Sequence, residues 1–174
     1  MQHTLVALVE DKPGVLNRVA SLFRRRAFNI ESLTVGHTHQ VGVSRMTIVM
    51  DSNETNAERA TANLYKQVNV IQVADLSDQP TVNRDLALVK VSASQDKRSE
   101  IMQLVEVYRS RIVDVANDSL IIEITGDEDK INSFIEVMRP FGILEMVRTG
   151  MVAMARGANA VPNVGRNGNT IGNH

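Results

Sequence analysis

The sequence predicts an α+β fold of two tandem βαββαβ modules, each with an antiparallel sheet. Two observations support this prediction. Short apolar segments with the two-residue period of strands alternate with segments whose apolar residues recur every three or four positions, as on one face of a helix. The resulting order of strand, helix, strand, strand, helix and strand then occurs a second time within the 174 residues. We therefore divide the chain into two related modules.

The first module is assigned to residues 1–78. Its first strand ends at a polar turn at residues 10–14, and the apolar residues after this turn have helical spacing. Three arginines at residues 24–26 end that helix, where positive charge is favourable to the helix dipole. Residues 36–42 are predicted as a turn, and Asn56 as the cap of the second helix. The predicted strands are residues 4–9, 30–35, 45–50 and 68–75, and the predicted helices are residues 15–26 and about 57–64.

The second module is assigned to residues 79–156, beginning in a linker at Asp78-Gln79-Pro80. Acidic residues 127–129 open its second helix, where negative charge complements the helix dipole. The predicted strands are residues 86–91, 112–116, 120–125 and 143–148, and the predicted helices are about 101–108 and 127–139. In each module two helices should cover one face of a four-stranded sheet, the ferredoxin-like arrangement.

Module size and the tail lead to two further expectations. A single core is only marginally stable at roughly 70 residues, so we expect sheets to pair side by side and the chain to form a homodimer. Residues 157–174 are rich in glycine and asparagine and offer too little apolar surface to offset the entropy of ordering. We therefore predict a disordered tail over residues 157–174.

Composition excludes several function classes. A net charge of −1 gives no global field toward nucleic acid or an anionic membrane. The absence of cysteine excludes disulfides, thiolate nucleophiles and Cys-based metal sites. The N-terminus lacks a signal-peptide pattern, and no apolar run approaches the ~20 residues of a membrane span. We expect a cytoplasmic protein that binds neither nucleic acid nor membrane.

The sequence patterns typical of RNA binding, metal binding, phosphate binding and catalysis are absent or incomplete. A βαββαβ module that binds RNA needs aromatic residues on its central strands, but the third strand here has none. His37 and His39 could form half of a metal site, but no second pair of ligands accompanies them, so we expect none. The sequence has no phosphate-binding glycine motif and no recognisable Ser/His/Asp set. We therefore expect no catalytic residue in this chain.

The turn at residues 10–14 is the strongest candidate for a binding site. Gly14 lies directly before a helix, whose first N–H groups have no partner within the helix and suit a carboxylate. Asp11 could accept hydrogen bonds from an ammonium group, and Asn29 offers both a donor and an acceptor. Apolar neighbours would be Val15, Leu16 and Ile30. Such a site fits a free aliphatic amino acid, although an ordinary strand-to-helix turn is also compatible with the pattern.

Three strings carry a resemblance to a known family. Asp11-Lys12-Pro13-Gly14-Val15-Leu16 resembles the signature of ACT domains, which bind small regulatory amino acids. Asn29-Ile30-Glu31-Ser32-Leu33-Thr34-Val35 and Ser44-Arg45-Met46-Thr47-Ile48-Val49 narrow the resemblance to the small regulatory subunits of acetolactate synthase (acetohydroxyacid synthase). The resemblance covers residues 1–156, so the second module should be an ACT-like domain.

The resemblance implies a regulatory role. The chain would join a large catalytic subunit that carries thiamine diphosphate, Mg and FAD and condenses pyruvate with a second 2-oxo acid, on the route to valine, leucine and isoleucine. It would hold no cofactor itself, activate that subunit and confer feedback inhibition by valine bound between two ACT modules of a dimer. The implied effector-binding residues are Asp11, Lys12, Pro13, Gly14, Val15, Leu16, Asn29 and Ile30.

Two points stay open in the sequence. The family often has asparagine where this chain has Asp11, and a carboxylate there should repel a nearby effector carboxylate. A stand-alone ACT-type amino-acid sensor, acting on another enzyme or on transcription, is the alternative function, although no DNA-reading helix or basic arm is evident.

Overall fold

A computed structural model of the chain describes residues 1–158 and residue 161, except for the side chain of Glu54. The described chain divides into two compact units. Unit 1 comprises Met1–Val82 and the described residues from Val152 onward, and unit 2 comprises Asn83–Met151. Apart from residues 157, 158 and 161, the tail predicted as disordered lies outside the described residues.

Unit 1 has a four-stranded antiparallel sheet with strand order β2-β3-β1-β4. The two helices follow the first and third strands, as the sequence predicted. The elements are β1 (Gln2–Glu10), α1 (Val15–Arg25), β2 (Ile30–His37), β3 (Val43–Asp51), α2 (Glu54–Tyr65) and β4 (Val70–Asp75).

Alternation along β1 and helical spacing along α1 build the core of unit 1. Side chains of successive strand residues point to opposite faces, so the odd-numbered residues of β1 face the helices. The buried positions of α1 recur at three- and four-residue intervals and form one stripe. This core contains Leu5, Ala7 and Val9 of β1, Val15, Val19, Leu22 and Phe23 of α1, and Ala60 and Leu64 of α2.

Unit 2 repeats the arrangement with strand order β6-β7-β5-β8. Its elements are β5 (Thr81–Ser92), which begins inside unit 1, α3 (Arg98–Val107), β6 (Arg111–Val115), β7 (Ser119–Gly126), α4 (Glu128–Met138) and β8 (Ile143–Arg148). Asp127 caps α4, because its Oδ1 accepts a hydrogen bond of 2.9 Å from the backbone N–H of Lys130. The two predicted ferredoxin-like modules are therefore confirmed.

Several predicted boundaries moved, most of all the start of β5, which is Thr81 and not Leu86. Two further differences have a clear physical reason. Asn53, not Asn56, caps α2: its Oδ1 accepts from the backbone N–H of Asn56 at 2.9 Å. The first turn of α2 was missed because its residues are polar and carry no apolar period. β2 continues to His37, which lies in a strand and not in the predicted turn, because pairing with Ser44 of β3 extends the hairpin.

The segment after unit 2 returns to unit 1 as a short strand, β9 (Val152–Ala155). Residues 152–156 belong to the second module by sequence pattern, whereas the structure places them in unit 1. β9 pairs with β5, and Ala153 packs with Val6 and Leu76. Because Val6 alternates with the helix-facing residues of β1, β9 covers part of the sheet face opposite the helices. The Arg45 side chain adds a polar contact, because its Nη2 donates a hydrogen bond of 2.6 Å to the Ala153 carbonyl.

Within the part of the chain that is described, no helix is both long and apolar enough to cross a lipid bilayer.

The burial of β9 gives a first prediction. Ala153 is 4% exposed, whereas its neighbour Val152 is 46% exposed. We expect Ala153→Asp to lower the free energy of unfolding by about 3 kcal/mol, because it places a carboxylate against the buried apolar side chains of Val6 and Leu76. Val152→Asp, the matched control, should change it by about 0.5 kcal/mol or less. Urea denaturation measures both, and equal effects would show that β9 does not pack as described.

Candidate functional site

The turn between β1 and α1 is held by backbone hydrogen bonds to two other parts of unit 1. Glu10 N–H donates to the Asn69 carbonyl at 2.8 Å, and Asp11 N–H donates to the Gly42 carbonyl at 2.8 Å. Inside the turn, Lys12 N–H donates to the Glu10 carbonyl at 2.9 Å. The conformation of the turn is therefore fixed by the ends of β3 and β4, which are far away in the sequence.

Gly14 begins α1 in a conformation that favours glycine. Its φ of 83° and ψ of −6° lie in the left-handed region, which L side chains rarely adopt. No side chain caps α1. The N–H of Val15 donates to the Lys12 carbonyl at 3.4 Å, so the N–H groups that follow it in the first turn, those of Leu16 and Asn17, are the ones available to a ligand. Apart from the two residues next to Gly14 in the sequence, a Cβ added to this glycine would meet no described atom within 4 Å. The helix start is therefore both unblocked and polar.

Charged side chains surround this helix start. Asp11 Oδ2 lies 3.3 Å from His37 Nδ1, and Lys12 Nζ lies 2.8 Å from Glu10 Oε2. All four side chains are substantially exposed. The carboxylate of Asp11, which the sequence analysis assigned to an effector ammonium group, thus already has a basic neighbour at the end of β2.

Asn69 connects the turn to α1. Its side chain, on a residue only 8% exposed, accepts a hydrogen bond from Arg18 Nη1 and donates one of 2.9 Å to Glu10 Oε2. No local pattern indicates this contact, because Asn69 lies 59 residues from Glu10. The contact arises only when β4 is placed beside β1.

The sequence-predicted site residues fall into two separate groups within one chain. Residues 11–16 lie together at the turn, with Leu16 47% exposed and Val15 buried. Asn29 directly precedes β2, and it is the other end of β2, at His37, that lies beside Asp11. At about 3.3 Å per strand residue, Asn29 is roughly 25 Å from that end. Asn29 and Ile30 therefore cannot complete a site at the Gly14 turn of their own chain.

His37 and His39, which were considered as half of a metal site, have different surroundings. His37 contacts Asp11, as described above, and His39 follows it in the β2–β3 connection. Among the described residues, no group of three or more His, Cys, Asp or Glu side chains is placed to hold a metal ion.

Each module matches a family of its own. Residues 5–72 match the family described as AHAS small subunit-like ACT domain. Residues 84–157 match the family described as small subunit of acetolactate synthase. The N-terminal module, which contains the Gly14 turn, is thus similar to domains of the ACT class.

Individual relatives agree with this match. A probable acetolactate synthase small subunit of Archaeoglobus fulgidus is 53% identical over 157 residues, covering 90% of this chain and 98% of the relative. One of Methanothermobacter thermautotrophicus is 50% identical over 160 residues, covering 91% and 95%. The crystal structure of the acetolactate synthase small subunit from Thermotoga maritima matches with a TM-score of 0.85 at 40% identity, covering 91% of this chain and 99% of that one. The chain belongs to the acetolactate synthase small-subunit family, which confirms the resemblance stated above.

The Asn69 contacts give a second prediction. We expect Asn69→Ala to lower the free energy of unfolding by about 1 kcal/mol, because Arg18 and Glu10 lose a partly buried hydrogen-bond partner. Asn17→Ala, the control on the exposed side of α1, should leave stability unchanged or raise it slightly through helix propensity. Urea denaturation measures both variants. If Asn69→Ala were neutral, the turn would not depend on this side chain.

Proposed function

We propose that this chain is the regulatory subunit of an acetolactate synthase, which activates a large catalytic subunit and confers feedback inhibition by valine. Family membership supports the class of protein. The observation that carries the effector site is the uncapped helix start at Gly14, with its left-handed glycine and open surroundings. Thiamine diphosphate, Mg and FAD belong, in this proposal, to the catalytic partner.

The geometry of one chain requires a second copy for the site. Asn29 and Ile30 lie at the opposite end of β2 from the Gly14 turn, so they can meet such a turn only on another chain. A valine site that uses both groups is therefore an interface site, with the turn from one copy and residues 29–30 from the other. A homodimer would hold two such sites related by its twofold axis.

The sheet edge offers a way to form this dimer. β2 is an edge strand of the unit 1 sheet, where β3 is its neighbouring strand within the described part of the chain. If two copies pair β2 with β2 in an antiparallel manner, the start of one strand lies beside the end of the other. Asn29 of one copy then approaches His37 of the other, beside Asp11 and the Gly14 turn. Such pairing also satisfies the exposed strand edges.

The chemistry of the turn suits a zwitterionic amino acid. The free N–H groups at the start of α1 would bind the valine carboxylate, and the missing Cβ of Gly14 leaves room for close approach. The ammonium group would donate to Asp11 or to the side-chain oxygen of Asn29 from the other copy. Leu16 and the second copy's Ile30 would contact the isopropyl group. Lys12 and Pro13 shape the turn that carries these groups.

Inhibition then follows from a shift between two packings of the paired modules. Valine contacts both copies and therefore stabilises the packing in which turn and Asn29 are closest. It can shift the equilibrium only by the difference in its affinity for the two packings. We propose that the packing with valine supports the catalytic subunit less well.

Gly14→Asp is the direct test of the site. The variant places a side chain and a negative charge where the valine carboxylate would bind, so we expect activation of the catalytic subunit to survive and valine inhibition to be lost. Acetolactate formation by the catalytic subunit, with and without this chain and valine, measures both effects.

Gly142→Asp is the matched control, because Gly142 of unit 2 also has a positive φ, of 92°. Aspartate is strained at this position too, where φ is 92° and ψ is 101°, and it adds the same charge away from the turn, so the variant should retain inhibition by valine. Full valine inhibition in Gly14→Asp would show that the effector does not bind at this turn.

Complementation between two variants that do not bind valine tests the shared site. We expect Gly14→Asp and Asn29→Ala each to lose valine binding as homodimers. In a mixed dimer, the intact turn of the Asn29→Ala chain faces the intact Asn29 of the Gly14→Asp chain and forms one functional site. Random mixing after subunit exchange should therefore restore about a quarter of the valine sites. Calorimetry measures this fraction, and no recovery in verified mixed dimers would exclude a site shared in this way.

A further inference from the structure

A cavity of about 450 Å³ lies in unit 1 on the sheet face opposite the helices. Apolar side chains of Leu8 on β1, Val43 on β3 and Met154 on β9 line most of it. Arg45, His37 and His39 also line it. Its size and its mainly apolar lining, with a few polar groups, are those of a small-molecule pocket.

Arg45 is the most informative residue of this cavity. Its side chain is half-buried, and burial lowers the pKa of the guanidinium from its usual value, although the group stays charged in a protein. Its Nη2 donates to the neutral carbonyl of Ala153. Within the described chain, no carboxylate lies within ion-pair distance of it. A desolvated cation without an anion is unfavourable, and an anionic ligand would relieve this.

The charges around the cavity also select against an amino group. The described lining residues include one arginine and two histidines but no Asp or Glu. A carboxylate of a ligand could pair with Arg45, whereas an ammonium group would meet no carboxylate among the described lining residues and would face the guanidinium. The pocket thus suits a carboxylate attached to an apolar body, without an amino group.

We propose that this cavity binds a small aliphatic monocarboxylate that lacks an amino group, such as a branched carboxylic or 2-oxo acid, with its carboxylate on Arg45. The aliphatic part contacts Leu8, Val43 and Met154. This site is separate from the proposed valine site, because it lies on the opposite face of the sheet, is lined by a single chain and has the opposite preference for an ammonium group.

Binding of isovalerate to the full-length chain tests the proposal. The Met154 methyl group, labelled with ¹³C, should shift on titration with isovalerate or 2-oxoisovalerate. Isovaleramide, which has the same apolar body without the charge, should cause little shift at equal concentration. An equal response to isovaleramide, or no shift of the Met154 methyl with isovalerate, would overturn the proposal.

A matched pair of variants tests the role of charge without disturbing the core. Met154 is 63% exposed, so Met154→Glu and Met154→Gln should both fold. We expect Met154→Glu to weaken isovalerate binding about tenfold or more, because it adds a like charge to the site, and Met154→Gln to have a much smaller effect. Arg45→Lys, which keeps the charge, should bind better than Arg45→Gln. Equal affinities within each pair, measured by calorimetry, would contradict the proposal.

The outcome is distinguishable from that of the proposed function. Isovalerate binding should persist in Gly14→Asp, and valine binding to the chain should persist in Met154→Glu. Loss of isovalerate binding in Gly14→Asp would assign that ligand to the turn and overturn the second site. If Gly14→Asp lost only its response to valine, the proposal of a monocarboxylate site in the cavity would still stand.

Discussion

Burial of β1 on both of its faces is the interaction on which the rest of unit 1 depends. All five residues from Leu5 to Val9 are buried. Odd-numbered residues pack against the two helices, and even-numbered residues face β9 and other residues of the opposite face. A βαββαβ module alone would leave that second face open to water. Apolar burial there explains why the chain returns to unit 1 after completing unit 2.

This burial also determines how the Gly14 turn is presented. The turn leaves β1 directly, and its first two N–H groups are bonded to carbonyls beside β3 and β4. These hydrogen bonds hold the turn in place, so the free N–H groups at the start of α1 have a defined position. Binding to a preformed group costs less ordering entropy than binding to a mobile loop. A ligand at this turn meets a helix end whose position is set by the central strand.

The sequence was sufficient for the features that depend on local pattern. Two-residue and helical periods located most elements of both modules, and the string from Asp11 to Leu16 identified the turn and its glycine. Patterns failed where polar residues form regular structure, as in the first turn of α2, and where a residue's role depends on distant strands. Asn69, Arg45 and Ala153 have no local signature, because each acquires its contacts only when β4, β3 and β9 are assembled. The distance from Asn29 to the turn likewise follows from strand direction, which no string of residues reveals.

His37 gives the two proposed sites a physical connection. Its Nδ1 is 3.3 Å from the Asp11 carboxylate, and the same side chain lines the cavity that contains Arg45. A carboxylate ligand that accepts a hydrogen bond from His37 would compete with Asp11 for this side chain, and an Asp11 without that neighbour would attract an ammonium group more strongly. The two ligands would then favour each other. Linkage requires the effect to be reciprocal and equal in free energy, so valine at the turn would strengthen monocarboxylate binding by the same factor.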